Sequence, residues 1–137
     1  MFPRDTRILI VDDFMTGRLI VKKALHELGF KNIEEAKNGE EGWSALLAAG
    51  ASQPFQLVIT DWNMPVMSGL ELIKVMRGDT RFGKIPILLI TAEGGHSEII
   101  EALEAGASSM IIKPFSSEQL NEKLDEMFSG TLTTCLG

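Results

Sequence analysis

The chain has 137 residues, 45% of them apolar, and a formal charge of −6. That length suits one domain with a real core rather than two, and the acidic balance argues against nucleic acid or an anionic membrane surface as the main partner, because phosphate binding is driven by Lys and Arg. A single cysteine, Cys135, excludes an internal disulfide and fits a reducing compartment. No apolar run approaches the ~20 residues of a membrane span, and the opening MFPRDTR is not a signal sequence, so a cytoplasmic domain without membrane insertion is expected.

In chain order, short apolar runs alternate with longer amphipathic ones. Residues 8–11 read as a strand. Residues 18–28 read as a helix with Val21, Leu25 and Leu28 on one face, stopped by Gly29. A short strand is expected at 33–36 and a helix at 40–49, ending at Gly50. The next strand is 57–60, followed by a helix over 70–76 with Leu72, Val75 and Met76 on its face. A strand at 87–90 begins just after Pro86, and a helix at 97–105 has Ile99 and Leu103 one turn apart. The last strand is 110–112. Ser116 then reads as an N-cap with Gln119 at the capping-box position, and Leu120, Leu124, Met127 and Phe128 form a stripe behind it. Residues 129–137 show no period and read as a frayed tail, which leaves a domain core of about 6–128.

Alternation of this kind implies a parallel sheet covered on both faces. In such a sheet, ligands bind beyond the carboxyl ends of the strands. Asp12-Asp13, Asp61, Thr91 and Lys113 stand at four of those ends. One Asp after a strand is more often a helix cap or turn former than a ligand. The set is different. Three carboxylates in one cleft repel, and a hard divalent cation relieves the repulsion. Mg2+ fits because it takes one or two carboxylates, keeps several waters and accepts phosphate oxygens. Lys113 adds a point charge for an anion and Thr91 a hydroxyl. The set suits a phosphoryl group, with a carboxylate available to accept it covalently.

The stretches ILIVDDF, LVITDWNMPVMSGLEL, ILLITAE and AGASSMIIKPF, in that order, resemble the receiver domain of bacterial two-component response regulators. The resemblance covers roughly residues 6–128, and the single-domain chemotaxis regulators of that family are the most similar in pattern. It implies a flavodoxin-like, doubly wound (βα)5 α/β fold with strand order 2-1-3-4-5. It implies that Asp61 is the phospho-acceptor, with Thr91 and Lys113 acting on the phosphoryl group. Mg2+, or Mn2+ in its place, would be bound by Asp13, Asp61 and the backbone carbonyl of Asn63, with Asp12 holding a metal-bound water. Lys113-Pro114 would be a cis peptide. Asn63 and Glu93 would tune hydrolysis of the acyl phosphate. The implied partners are a sensor histidine kinase, a phosphatase and a protein target such as a flagellar motor switch protein, contacted by a monomer. A phosphorelay intermediate or a regulator of some other partner is the alternative.

The sequence departs from the family at Met110, where an aromatic switch residue is common. Met110 is expected to pack as an ordinary apolar residue, which puts the usual aromatic rotamer switch in question. His26 and His96 read as solvated, and Trp62, beside Asp61, reads as a reporter on the metal site. Two rival functions are a haloacid dehalogenase-type phosphatase and a degenerate receiver that only binds. The first carries its nucleophile in a D-x-D pattern after the first strand, and here that strand ends in Asp-Asp with no cap domain. The complete acidic set argues against the second.

Overall fold

In the computed structural model, which describes residues 2–92 and 94–129, five strands alternate with five helices. They are β1 (Ile8–Val11), α1 (Met15–Glu27), β2 (Ile33–Ala36), α2 (Gly39–Ala49), β3 (Leu57–Asp61), α3 (Gly69–Arg77), β4 (Ile87–Thr91), α4 (His96–Ala105), β5 (Ser109–Ile112) and α5 (Ser117–Phe128). The strands form one parallel sheet in the order β2-β1-β3-β4-β5. This is the expected doubly wound, flavodoxin-like arrangement.

Successive strand residues point to opposite faces, and each face has its own core. Ile8, Ile10, Leu57, Ile59, Leu88, Ile90 and Ile111 pack under α1 and α5, against Val21, Leu25, Leu120 and Leu124. Leu9, Val11, Val58, Ile87 and Leu89 pack under α2, α3 and α4, against Leu46, Leu72, Ile73, Met76 and Ala102. That is why β1, β3 and β4 read as unbroken apolar runs. The edge strand β2 reads IEEA, with both glutamates exposed, as an edge with one open side permits.

Several sequence expectations need correction. Helix α1 starts at Met15, three residues before the expected Arg18, because Arg18 is itself a buried helical residue. On α3, Val75 is 37% exposed and Ile73 takes the buried position beside Leu72 and Met76. On α4, Ile99 and Leu103 do not face the core; Ala102 does. On α5, Leu120 and Leu124 are buried while Phe128 is exposed, with Phe2 stacked edge-on against it at 5.2 Å. Phe2 is also buried within the α1–α5 cluster. Ser116 and Gln119 form the expected capping box, and Ser129 follows as the C-cap of α5. Residues 130–137 of the expected tail lie outside the described residues. No helix among the described residues is long and apolar enough to cross a membrane.

Candidate functional site

The register of the sheet assembles the site. Val11 pairs with Thr60, so the next residues, Asp12 and Asp61, leave neighbouring strands side by side. Asp61 pairs with Ile90, and Thr91 pairs with Ile112, so Thr91 and Lys113 follow one step further along their strands. By alternation Asp12, Asp61 and Lys113 continue the parity of Ile10, Ile59 and Ile111, on the α1–α5 side. Thr91 and Met110 share the parity of Leu89, on the side where α4 packs.

Asp12, Asp13 and Asp61 each offer one carboxylate oxygen within 4.8 Å of the others. Asp12 is 2% exposed and Asp61 7%. Lys113 Nζ lies 3.0 Å from Asp61 Oδ1 and 4.0 Å from Asp12 Oδ2. The Phe14 N–H donates to Asp12 Oδ1 at 3.0 Å. Burial pushes the Asp12 carboxyl above the ordinary carboxylate range. The Phe14 N–H opposes that rise, the Asp61 charge adds to it, Lys113 opposes it, and Asp13 adds a little more.

Asp13 Oδ1 is buried and has no hydrogen-bond partner among the described residues. A buried oxygen of that kind is costly unless something satisfies it. With a hard-oxygen donor set converging on one point, the orphaned atom fits a bound Mg2+. The Asn63 residue that would add its carbonyl is exposed, two residues past Asp61.

The loop after β3 is held close to the sheet. The Gly69 N–H donates to the Trp62 carbonyl at 2.9 Å, and a side chain at Gly69 would run into the Asp61 carbonyl. Ser68, at the end of that loop, caps α3 reciprocally with Glu71. On the opposite rim the Lys113 N–H donates to the Thr91 carbonyl at 2.8 Å, and Thr91 is 3% exposed. The Lys113-Pro114 bond is cis.

The site residues named from the sequence, Glu93 and Met110 excepted, lie at this one edge; Glu93 lies outside the described residues, and Met110 sits within β5 opposite Leu89. Met110 is half-buried against the α2–α4 core. His26 and His96 are exposed, and Trp62 is half-buried. Sequence reasoning missed Arg18. Its Nη1 donates to the Asp12 carbonyl at 2.8 Å and its Nε to Glu35 at 3.0 Å, tying the turn after β1 to β2. An arginine one helical turn past an Asp pair was the available signal.

Fold and site together define a receiver-type architecture, five parallel strands with an acid cluster at their carboxyl ends, and the comparisons agree. The family model described as response regulator receiver domain matches residues 8–125, so the chain belongs to the response regulator receiver domain family. It is 47% identical over 119 residues to the chemotaxis protein CheY1 of Helicobacter pylori, covering 87% of this chain and 94% of that one. It is 46% identical over 125 residues to chemotaxis protein CheY-3 of Vibrio cholerae, covering 91% and 93%. The solved structure of the chemotaxis response regulator CheY4 of Vibrio cholerae superimposes with a TM-score of 0.79 at 32% identity, covering 90% of this chain and 98% of that one.

Proposed function

We propose that this receiver accepts a phosphoryl group on Asp61 from a histidine kinase, in a Mg2+-dependent reaction, and signals by contact with a protein target in the control of chemotaxis. The observation that supports it most is the placement of Asp61: nearly buried, within 4.8 Å of two other carboxylates, and paired to Lys113 at 3.0 Å. A nucleophile so placed is screened from water and faces its own counter-charge.

Asp13, Asp61 and the Asn63 carbonyl would hold Mg2+, with Asp12 bonding one of its waters. When bound, the ion neutralises charge on the incoming phosphoryl oxygens. A carboxylate oxygen of Asp61 attacks phosphorus, the bond from phosphorus to the donor imidazole breaks, and the imidazole nitrogen keeps the electron pair. Lys113 turns from Asp61 Oδ1 to a phosphoryl oxygen. Water later attacks the same phosphorus, returning inorganic phosphate and a free Asp61, with Asn63 and Glu93 flanking its approach. The chain thus catalyses its own modification and its reversal rather than turning over an external substrate.

Phosphorylation adds about −1.5 to −2 charges with strong acceptor oxygens. Thr91, 3% exposed at the end of β4, is the hydroxyl able to answer. It shares its face with Met110 and α4, so its movement reaches the surface formed by α4, β5 and α5. Ile99, Ile100, Leu103 and Ile112 are exposed there. A cytoplasmic monomer that presents this face to a flagellar motor switch protein is the reading that joins site and surface. Similarity to chemotaxis proteins over most of the chain supports the motor assignment.

The test is Trp62 fluorescence during titration with Mg2+ and then with beryllofluoride, a phosphoryl mimic. The wild type should respond to each, and Asp61→Asn should lose the beryllofluoride response. A beryllofluoride response that survives Asp61→Asn would contradict the assignment.

A further inference from the structure

We infer that Gly17 is a positioning residue for the acid cluster: its missing side chain is the space that holds the Asp12 carboxylate in place for metal binding. The inference rests on reading Asp12, Asp13 and Asp61 as a Mg2+ site.

Gly17 is the third residue of α1, and its backbone is not left-handed. Glycine inside a helix costs about 0.5–1 kcal/mol relative to alanine, so its presence there asks for a reason other than conformation. The reason is room. A Cβ at residue 17 would lie 2.8 Å from Asp12 Cγ and 3.2 Å from Oδ1, and it would overlap Oδ2 outright. The Cγ contact and the Oδ2 overlap are too close to persist, so the carboxylate has to shift.

The backbone of Asp12 has little freedom to yield. Its N–H donates to the Ala36 carbonyl at 3.1 Å, and its carbonyl accepts from Arg18 Nη1 at 2.8 Å. Relief must therefore come from rotation of the carboxylate. Rotation would break the 3.0 Å bond from the Phe14 N–H to Oδ1 and move Oδ2 relative to Lys113. It would also change the separations that bring three carboxylates within 4.8 Å. Gly17 touches neither Asp13 nor Asp61 among its nearest contacts, so its influence on a metal runs through Asp12. Residues that orient metal-binding groups from behind typically matter by 10–100-fold in affinity.

The experiment is a double-mutant cycle on Mg2+ affinity in the full chain, read by Trp62 fluorescence and independently by calorimetry, for wild type, Gly17→Ala, Asp12→Ala and the double variant. Alanine is the better helix former, so Gly17→Ala keeps the fold. It should weaken Mg2+ binding about tenfold, the low end of such effects. In the Asp12→Ala background the same change should alter affinity by less than about twofold, as expected when the shared partner is gone. Wild-type affinity in Gly17→Ala overturns the inference, as does an equal loss in both backgrounds. A wild type that binds no Mg2+ by either readout overturns the metal reading itself and this inference with it.

Discussion

Helices α3 and α4 have nearly the same length, nine and ten residues, and lie on the same face of the sheet. They are held very differently. Helix α3 buries Leu72, Ile73 and Met76 completely, begins with a Ser68–Glu71 capping box, and ends in Lys74 and Arg77, whose charge suits a helix C-terminus. Helix α4 buries only Ala102, has no side-chain cap among the described residues, and turns Ile99, Ile100 and Leu103 outward. Both sequences are amphipathic. The difference lies in which face the sheet covers. The outcome is one helix that fixes the loop after Asp61 and another that can shift at little cost in buried area, which is where the proposed switch would act.

The largest expected effect breaks the anchored helix. Leu72→Ala should cost about 2–5 kcal/mol in urea unfolding, as for a fully buried leucine, while Leu103→Ala should fall within about 0.5 kcal/mol of wild type. Comparable losses at both positions would erase the contrast.

Arg77 provides the next. From the end of α3 it donates to the carbonyls of Gly106, Gly83 and Ile85, reaching the turn that ends α4. Arg77→Ala leaves those acceptors unpaired and should cost about 1–3 kcal/mol. Hydrogen exchange should then quicken in α4 more than in α3.

A smaller effect concerns binding alone. Leu103→Ser with Ile112→Ser should weaken capture of a protein target by the beryllofluoride-activated form about tenfold, equivalent to ~1.4 kcal/mol. Mg2+ affinity should not move, because neither residue belongs to the acid cluster. Loss of Mg2+ affinity in that variant would merge the two regions.

The smallest separates the site from both helices. The Asp12 carboxyl is raised above its ordinary value, first by burial. A raised carboxyl holds its proton more tightly folded than unfolded, so its contribution is present at low pH and is lost as pH rises through the folded-state value. In the absence of Mg2+, Asp12→Asn should therefore be more stable than wild type at neutral pH. The gain should shrink as pH falls through the raised folded-state value toward 3.8, the ordinary value for this group, and be gone below it. Thermal melts across that range would show it; a gain independent of pH would contradict it.

Much of this was legible in the sequence. The boundaries of β1 and β2 were read directly, and the other strands differed by a residue at one end, because apolar runs ending in Asp or Lys are unambiguous in a parallel sheet. The acid cluster was legible as a set for the same reason: parallel strands bring their carboxyl ends together. What the sequence hid was orientation. Val75 and Ile73 are both apolar neighbours on a helix, and only the packed sheet chooses between them. The exposed Ile99 and Leu103 look like core residues in a helical pattern, since periodicity records an apolar face and not what covers it. Arg18 and Gly17 escaped notice because their roles are toward Asp12 across a turn, a contact that no periodicity encodes.

The most direct test of the account is phosphoryl transfer itself. The full chain would be incubated with a small acyl phosphate and Mg2+, followed by intact-protein mass spectrometry and mapping of the modified residue. The account predicts one phosphoryl group per chain, on Asp61, absent without Mg2+ and absent in Asp61→Asn. Modification that persists in Asp61→Asn, or hydrolysis of the donor with no adduct on the protein, would contradict it.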